Sequence, residues 1–282
     1  MTNQNNKTYC RYTAHKNIST EELARMYEVF RQYYANTDMP TFIKDFNKKT
    51  GAFLVRRCSD GLIVGFSTVA LMDLEMNGRK AKGVFSGDTI IEEAYWGGRA
   101  LQLKFFLYLV RVVLRHPFTP VFWLLISKGY KTYLLMANNF FRFYPHPEAK
   151  FENYEAMAQQ YSERLFPGCY DPQRKLLDFG DSYQHLTDEV AGITPEMCDR
   201  FRNIAFFEER NPTWRRGTEL PCIGRVGFYD VLLYVFRFVN KAFLGNGSVS
   251  KRSLGERMPL WLRMFGPRAF WQRITGLVRG AQ

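Results

Sequence analysis

A glycine pair stands between a strand-like segment and a helix-like segment of this 282-residue chain. Residues 83–91 have the pattern of a strand, Gly97 and Gly98 follow, and an apolar helical pattern begins at Ala100. Backbone without side chains can approach a phosphate closely, and the unpaired N–H groups of a first helical turn point towards it. The spacing therefore predicts a phosphate cradle at the glycines, with Arg99 as a side-chain contact. An ordinary tight turn is the alternative.

Three carboxylates lie on this strand or directly after it: Asp88, Glu92 and Glu93. Each has the chemistry of a general base, acting alone or through a water molecule. For Glu92 and Glu93 the alternative is an exposed charge at a strand end. Strict alternation along the strand places Asp88 on the same face as Ser86, which favours Asp88 as a site residue.

Other reactive residue types form no recognisable motif. Five cysteines are scattered, with no C-x-x-C pair and no histidine at metal-ligand spacing, so neither a metal site nor a disulfide framework is predicted. No His or Asp neighbour supports a cysteine nucleophile. The polar N-terminus lacks the apolar segment of a signal peptide, and the scattered cysteines fit a reducing compartment. We therefore expect a cytoplasmic protein.

Local patterns predict the elements that position these residues. A capping box over residues 19–22 begins a first helix, and Asp38 with Pro40 opens a second. Three strands follow, and the last two are joined by a hairpin at Asn77–Gly78. The helix after the glycine pair ends before Pro117.

The segment after this helix is ambiguous by periodicity alone. Residues 122–127 fit a helix or a strand. Gly129 favours a helix that terminates there, followed by a buried strand over residues 131–137. Asn138, or the asparagine after it, would then cap a short helix that leads to Tyr144.

The order of these elements resembles that of the GNAT acyltransferase superfamily. In that family a loop of the form Q/R-x-x-G-x-G/A binds the pyrophosphate of an acyl-CoA. Gly98 and Ala100 match its last two positions, while Tyr95 stands where Gln or Arg is usual. The segment from Gly129 to Asn138, followed by Tyr144, resembles a second family motif, G-x-x-x-L-x-L-x-V-x-x-x-N with a downstream Tyr.

The resemblance implies an α+β fold, with a mixed and mostly antiparallel central sheet flanked by helices. It also implies acyl transfer from a thioester to an amine by direct attack. A backbone N–H of Ile90, Ile91 or Glu92, near a strand bulge, would bind the thioester carbonyl. Tyr144 would protonate the leaving thiolate, and Asn138 would contact the cofactor. The alternatives are aromatic packing for Tyr144 and helix capping for Asn138.

The donor would be an acyl-CoA or the phosphopantetheine thioester of an acyl carrier protein, with an amine as acceptor and no metal. Carrier proteins are usually acidic, so the net charge of +12 and Tyr95 in place of Gln or Arg favour the carrier protein. The aromatic content of 16% favours a long acyl chain. Nucleic acid is not expected as a partner, because none of its recognition motifs is present.

The chain is expected to divide into a polar tail over residues 1–18, an acyltransferase core over 19–166 and a mainly helical extension over 167–282. From residue 222 onwards, ten Lys and Arg residues stand against two acidic residues, mixed with Phe, Leu and Trp. This composition is typical of helices that lie in a membrane interface. A second hypothesis is therefore a non-catalytic protein of acyltransferase shape that binds a lipid surface or a protein partner, peripheral at the inner membrane surface.

Overall fold

The computed structural model describes residues 7–34, 37–180 and 192–227. Its strands are β1 (Thr8–Ala14), β2 (Gly51–Arg57), β3 (Ile63–Met76), β4 (Arg79–Ile91), β5 (Val121–Ser127), β6 (Phe143–Tyr144), β7 (Tyr170–Asp171), β8 (Leu176–Leu177) and β9 (Leu220–Val226). Its α-helices are α1 (Thr20–Phe30), α2 (Met39–Phe46), α3 (Ala100–Arg115), α4 (Tyr130–Asn139), α5 (Glu155–Leu165), α6 (Pro195–Arg200) and α7 (Arg202–Arg210).

Seven of these strands form one sheet in the order β1-β2-β3-β4-β5-β9-β6, and β7 pairs with β8 separately. Only β4 and β5 run parallel among the described pairs. Helices α1, α2 and α5 pack on one face of the large sheet, and α3 and α4 pack on the other. The predicted fold class, a mixed and mostly antiparallel sheet flanked by helices, is confirmed.

The predicted helix starts and hairpin are present. Ser19 Oγ accepts a hydrogen bond from the Glu22 N–H at 3.2 Å, and the Glu22 carboxylate accepts one from the Ser19 N–H at 2.9 Å. Asp38 caps α2 by accepting from the Thr41 N–H at 2.8 Å. These bonds satisfy backbone donors that a helix leaves unpaired at its first turn.

The segment after α3 folds in the opposite way to the prediction. Residues 121–127 form β5, and residues 130–139 form α4, with Gly129 at the N-cap instead of at a helix end. β5 lies between two other strands and is covered by helices on both faces, so its apolar residues run without alternation. Asn138 therefore lies in the last turn of a helix and does not cap the start of one.

The sheet also takes strands from outside the predicted core of residues 19–166. β1 lies in the segment predicted as a polar tail and pairs with β2 along its length. β9 lies in the predicted extension and inserts between β5 and β6. Both boundaries are therefore corrected. β1 has no strand signal in the sequence because it buries only Cys10 and so lacks the apolar alternation of a core strand.

The basic aromatic segments predicted after residue 227 lie outside the described residues. None of the described helices has the length and apolar character needed to cross a membrane.

Candidate active site

β4 and β5 pair over only part of their lengths. The parallel pairing covers Lys82 to Phe85 of β4, whereas β4 continues to Ile91 and β5 to Ser127. Beyond Phe85, β4 stays paired with β3 and β5 stays paired with β9. The two strands therefore part and leave a gap in the sheet.

A bulge in β4 lies where this gap begins. Ser67 and Val69 of β3 are two positions apart, but their partners Thr89 and Ser86 on β4 are three apart. The extra residue breaks the strict alternation assumed from sequence for Asp88. Trp123 of β5 reaches across the gap, and its indole N–H donates to Ser86 Oγ at 2.8 Å.

A cavity of about 560 Å³ occupies the gap, within the range of about 300–1,000 Å³ typical of small-molecule sites. Its wall includes Phe85, which packs on the α5 face, and Trp123, which packs on the α3 face. The cavity therefore extends through the sheet. Its wall on the α3 and α4 side is largely apolar and includes Leu101, Phe105, Phe106, Leu109, Leu135 and Phe140.

Charged and polar side chains line another part of the cavity: Tyr34, Lys49, Asp88, Lys128 and Glu219. Glu219 is only 4% exposed, and its carboxylate lies 3.3 Å from Lys128 Nζ. Burial raises the pKa of Glu219, and Lys128 opposes this effect. Burial also raises the pKa of the Tyr34 hydroxyl, with the negative charge of Asp88 acting in the same direction.

Of the three carboxylates predicted as bases, Asp88 is the one found among the described residues of the cavity wall. Glu92 instead forms an ion pair with Arg25 at 2.6 Å. Glu93 lies in a short 3₁₀ helix, where its N–H donates to the Tyr33 hydroxyl at 2.9 Å. Neither glutamate is among the described residues of the cavity wall, and a catalytic role for either stays a prediction.

The predicted carbonyl-binding residues also lie away from the bulge. The bulge spans residues 86–89, not 90–92. Ile91 pairs with Gly65 and packs against the α3 face, while Ile90 packs against α1 and α2. The Glu92 N–H donates to the Val64 carbonyl at 2.9 Å. Of the three N–H groups, that of Glu92 is therefore used by the sheet itself.

Gly97 and Gly98 lie between β4 and α3, as the strand and helix patterns predicted. Gly97 has a φ of 83°, in the left-handed region that favours glycine. Arg99 is the N-cap of α3 and makes no side-chain capping bond. Leu101 and Gln102 in the first turn of α3 line the cavity. The N-terminus of α3 is thus adjacent to the cavity.

Of two other predicted cofactor contacts, Tyr95 is occupied by a contact within the protein, and Asn138 is not among the described residues of the cavity wall. The Tyr95 hydroxyl accepts a hydrogen bond from Arg57 at 3.2 Å. Asn139, and not Asn138, lines the cavity, and its side-chain amide donates to the Leu135 carbonyl at 2.8 Å.

Tyr144 is packed in the core on the α5 face and is 3% exposed. Its hydroxyl donates to the Glu155 carboxylate at 3.2 Å, and burial raises the pKa of the hydroxyl. Among the described residues, the cavity wall does not include Tyr144. The structure therefore supports the packing alternative over a role in protonating a thiolate.

We expect Tyr144→Phe to leave turnover unchanged and to lower the free energy of unfolding by about 0.5–1.5 kcal/mol, the loss of one hydrogen bond. Urea unfolding gives the stability and steady-state kinetics the turnover. A slowed release of thiol with unchanged stability would contradict this expectation.

Sequence patterns did not identify Tyr34, Lys49, Lys128 or Glu219. None of them lies in a recognisable sequence motif. They come from separate segments of the chain that meet at the gap between β4 and β5. Lys128 lies directly after β5, and a position at the carboxyl end of a strand is the one local feature that could have indicated a site residue. Within the described residues, no group of His, Cys, Asp or Glu is arranged to hold a metal ion.

No protein-family model matches the chain, and no curated protein matches it. Among solved structures, a probable N-acyltransferase of unknown function from Enterococcus faecalis is similar over 46% of this chain, with a TM-score of 0.36 and 11% identity. The match spans 31% of that protein's length.

A GNAT family N-acetyltransferase from Escherichia coli in complex with CoA is similar over 45% of this chain and 67% of its own, with a TM-score of 0.33 and 11% identity. A GNAT family acetyltransferase from Brucella melitensis in complex with acetyl-CoA matches 42% of this chain and 75% of its own, with a TM-score of 0.29 and 14% identity. Similarity at this level does not assign an activity to the chain.

Proposed function

We propose that this chain is an N-acyltransferase that moves an acyl group from a phosphopantetheine thioester to an amine by direct attack. The observation that carries the proposal is the cavity through the gap between β4 and β5, with the α3 N-terminus beside it and Asp88 in its wall. Two substrates can then meet within the sheet from opposite faces, which positions them for reaction.

The donor would lie on the α3 and α4 side. Its phosphate would contact the backbone at Gly97–Gly98 and the positive end of the α3 dipole. Its pantetheine arm would follow the apolar wall towards the gap. Beyond Phe85, the edge of β4 that faces the gap is not paired with β5, so its N–H groups can stabilise negative charge on the thioester oxygen.

The acceptor would approach Asp88. The amine nitrogen attacks the thioester carbon, Asp88 accepts the proton that the nitrogen loses, and the C–S bond breaks as the amide forms. The leaving thiolate takes up one proton, which keeps the overall proton count unchanged. In this proposal Tyr34, which lines the cavity, supplies that proton in place of Tyr144.

We expect the full chain to bind CoA or a phosphopantetheine-loaded acyl carrier protein, and to release thiol from the acylated form only when an amine is present. Calorimetry measures binding, and a thiol-reactive dye measures release. Separate titrations with CoA and with the carrier protein distinguish the two donors. Binding of neither donor would reject the proposal.

A further inference from the structure

Lys49 places a buried ammonium group in the cavity. The residue lies in the turn between α2 and β2, is 8% exposed and lines the cavity. Its Nζ lies 4.9 Å from the ring centroid of Phe85 and 5.7 Å from that of Phe166. Among the described residues, no carboxylate forms an ion pair with it. The charged form of such a group is costly to bury unless another group neutralises it, and burial accordingly lowers the pKa of Lys49.

A second polar group at the same place has no partner. Thr68 Oγ1 is buried and makes no hydrogen bond within the described structure. A Cβ added to Gly87 would lie 2.4 Å from Thr68 Oγ1 and 3.5 Å from Lys49 Cε. The hydroxyl and the lysine side chain therefore both lie beside Gly87 at the bulge of β4, and the missing Cβ of Gly87 accommodates the hydroxyl. Among the described residues, Gly87 and Lys49 line the cavity, whereas Thr68 is packed behind them.

The neighbouring carboxylates have other partners. Asp45 pairs with Lys48 at 3.0 Å, and Glu219 pairs with Lys128 at 3.3 Å. Burial has the largest effect on the pKa of Lys49 and lowers it, whereas the negative charge of Asp88 acts in the opposite direction. The two side chains form no ion pair among the described contacts. The cavity wall also carries Asp45, Lys128, Lys131 and Glu219. Within it, Lys49 and Asp88 provide a positive and a negative group that form no ion pair with each other among the described contacts. A ligand that carries both an ammonium and a carboxylate matches this arrangement.

We propose that the acceptor is an amino acid, whose carboxylate is bound by the Lys49 ammonium while its amino group faces Asp88. This inference rests on the proposed acyl transfer. The carboxylate would accept a charge-assisted hydrogen bond from Lys49 and neutralise the buried charge. The amine would remain free to attack the thioester.

The test uses the full chain, acetyl-CoA or a longer acyl-CoA as donor, and matched acceptors. α-, β- and γ-amino acids are compared with the corresponding amino amides, which keep the amine and lose the carboxylate charge. Thiol release and mass spectrometry of the products measure acylation. We expect the amino acids to be acylated with the higher kcat/KM.

Lys49→Met removes the ammonium but keeps an unbranched side chain. We expect it to lower kcat/KM for amino acids by roughly tenfold or more, the loss of a charge-assisted hydrogen bond, and to leave the amides unaffected. Lys49→Gln should give a smaller loss because it retains a neutral donor. Lys44→Met makes the same chemical change at an exposed position of α2. It should leave kcat/KM unchanged for both amino acids and amides.

Four results would overturn the inference. If the wild type acylates amides and amino acids with equal kcat/KM, no carboxylate is recognised. If Lys49→Met and Lys49→Gln lower kcat/KM equally for amino acids and amides, Lys49 acts in proton transfer. A large fall in the unfolding temperature of these variants would instead assign Lys49 to the stability of the fold. Binding of CoA without acylation of any amino acid would reject this acceptor while leaving the donor site intact. Failure to bind any thioester donor would reject the proposed function itself.

Discussion

Replacing Asp88 by Asn is expected to lower kcat by roughly 10²- to 10⁴-fold, the usual contribution of a general base. Asp88 lies on the cavity wall beside the β4 bulge, and among the described contacts its carboxylate is not held in an ion pair. An amide of the same size preserves the cavity but cannot accept the proton of the amine. The affinity for CoA should therefore stay constant.

Glu92→Gln is the matched control for this variant. It makes the same acid-to-amide change four residues further along the chain, where the side chain pairs with Arg25 and is not among the described residues of the cavity wall. We expect turnover to stay near the wild-type rate and stability to fall by about 1 kcal/mol or less. Thiol release at saturating donor and acceptor measures both variants. Comparable rates for wild type and Asp88→Asn would assign the base to another residue, and Asp45 and Glu219 are the other carboxylates of the described cavity wall.

Much of the framework around this site follows from short stretches of sequence. The capping box at Ser19, the cap at Asp38 and the turn at Asn77–Gly78 each depend on a few neighbouring residues. Their hydrogen bonds and dihedral angles are local, so their patterns can be recognised before the fold is known. The same holds for Gly97 between β4 and α3.

β5 and α4 show where local reasoning fails. A strand that is buried on both faces has no period of two, and a short apolar helix has no clear polar face. What makes residues 121–127 a strand is their pairing with β4 and β9, and β9 lies far along the chain. Gly129 is compatible with either end of a helix, so it could not decide the question.

The candidate site was only partly predictable for a related reason. Strict alternation along β4 favours Asp88, and the bulge breaks that alternation, although Asp88 does line the cavity. Lys49 and Glu219 reach the same cavity from α2's end and β9's start, and neither lies in a motif. Their proximity depends on the parting of β4 and β5, which is a property of the whole sheet.

Gly98→Glu is expected to weaken CoA binding roughly 100-fold more than Gly98→Gln, because the added carboxylate would lie close to the phosphates. A Cβ at Gly98 would approach the Tyr95 carbonyl at 3.4 Å and Thr8 Oγ1 at 3.7 Å, both ordinary contacts. Gly97, with its left-handed φ, offers no such substitution. The two variants at Gly98 should therefore both fold and should differ essentially by one negative charge.

Calorimetry with two ligands separates the effect of that charge from the effect of side-chain size. CoA carries the pyrophosphate that the loop is proposed to bind, whereas pantetheine has the same thiol arm without phosphate. The Glu and Gln variants should differ strongly in their affinity for CoA and should bind pantetheine with nearly the same affinity. A similar difference for both ligands would mean that the substitution perturbs the arm, and equal CoA affinities would mean that the phosphates bind elsewhere. Only a difference confined to the phosphate-bearing ligand supports the cradle, because only then does the α3 N-terminus act on the donor through charge.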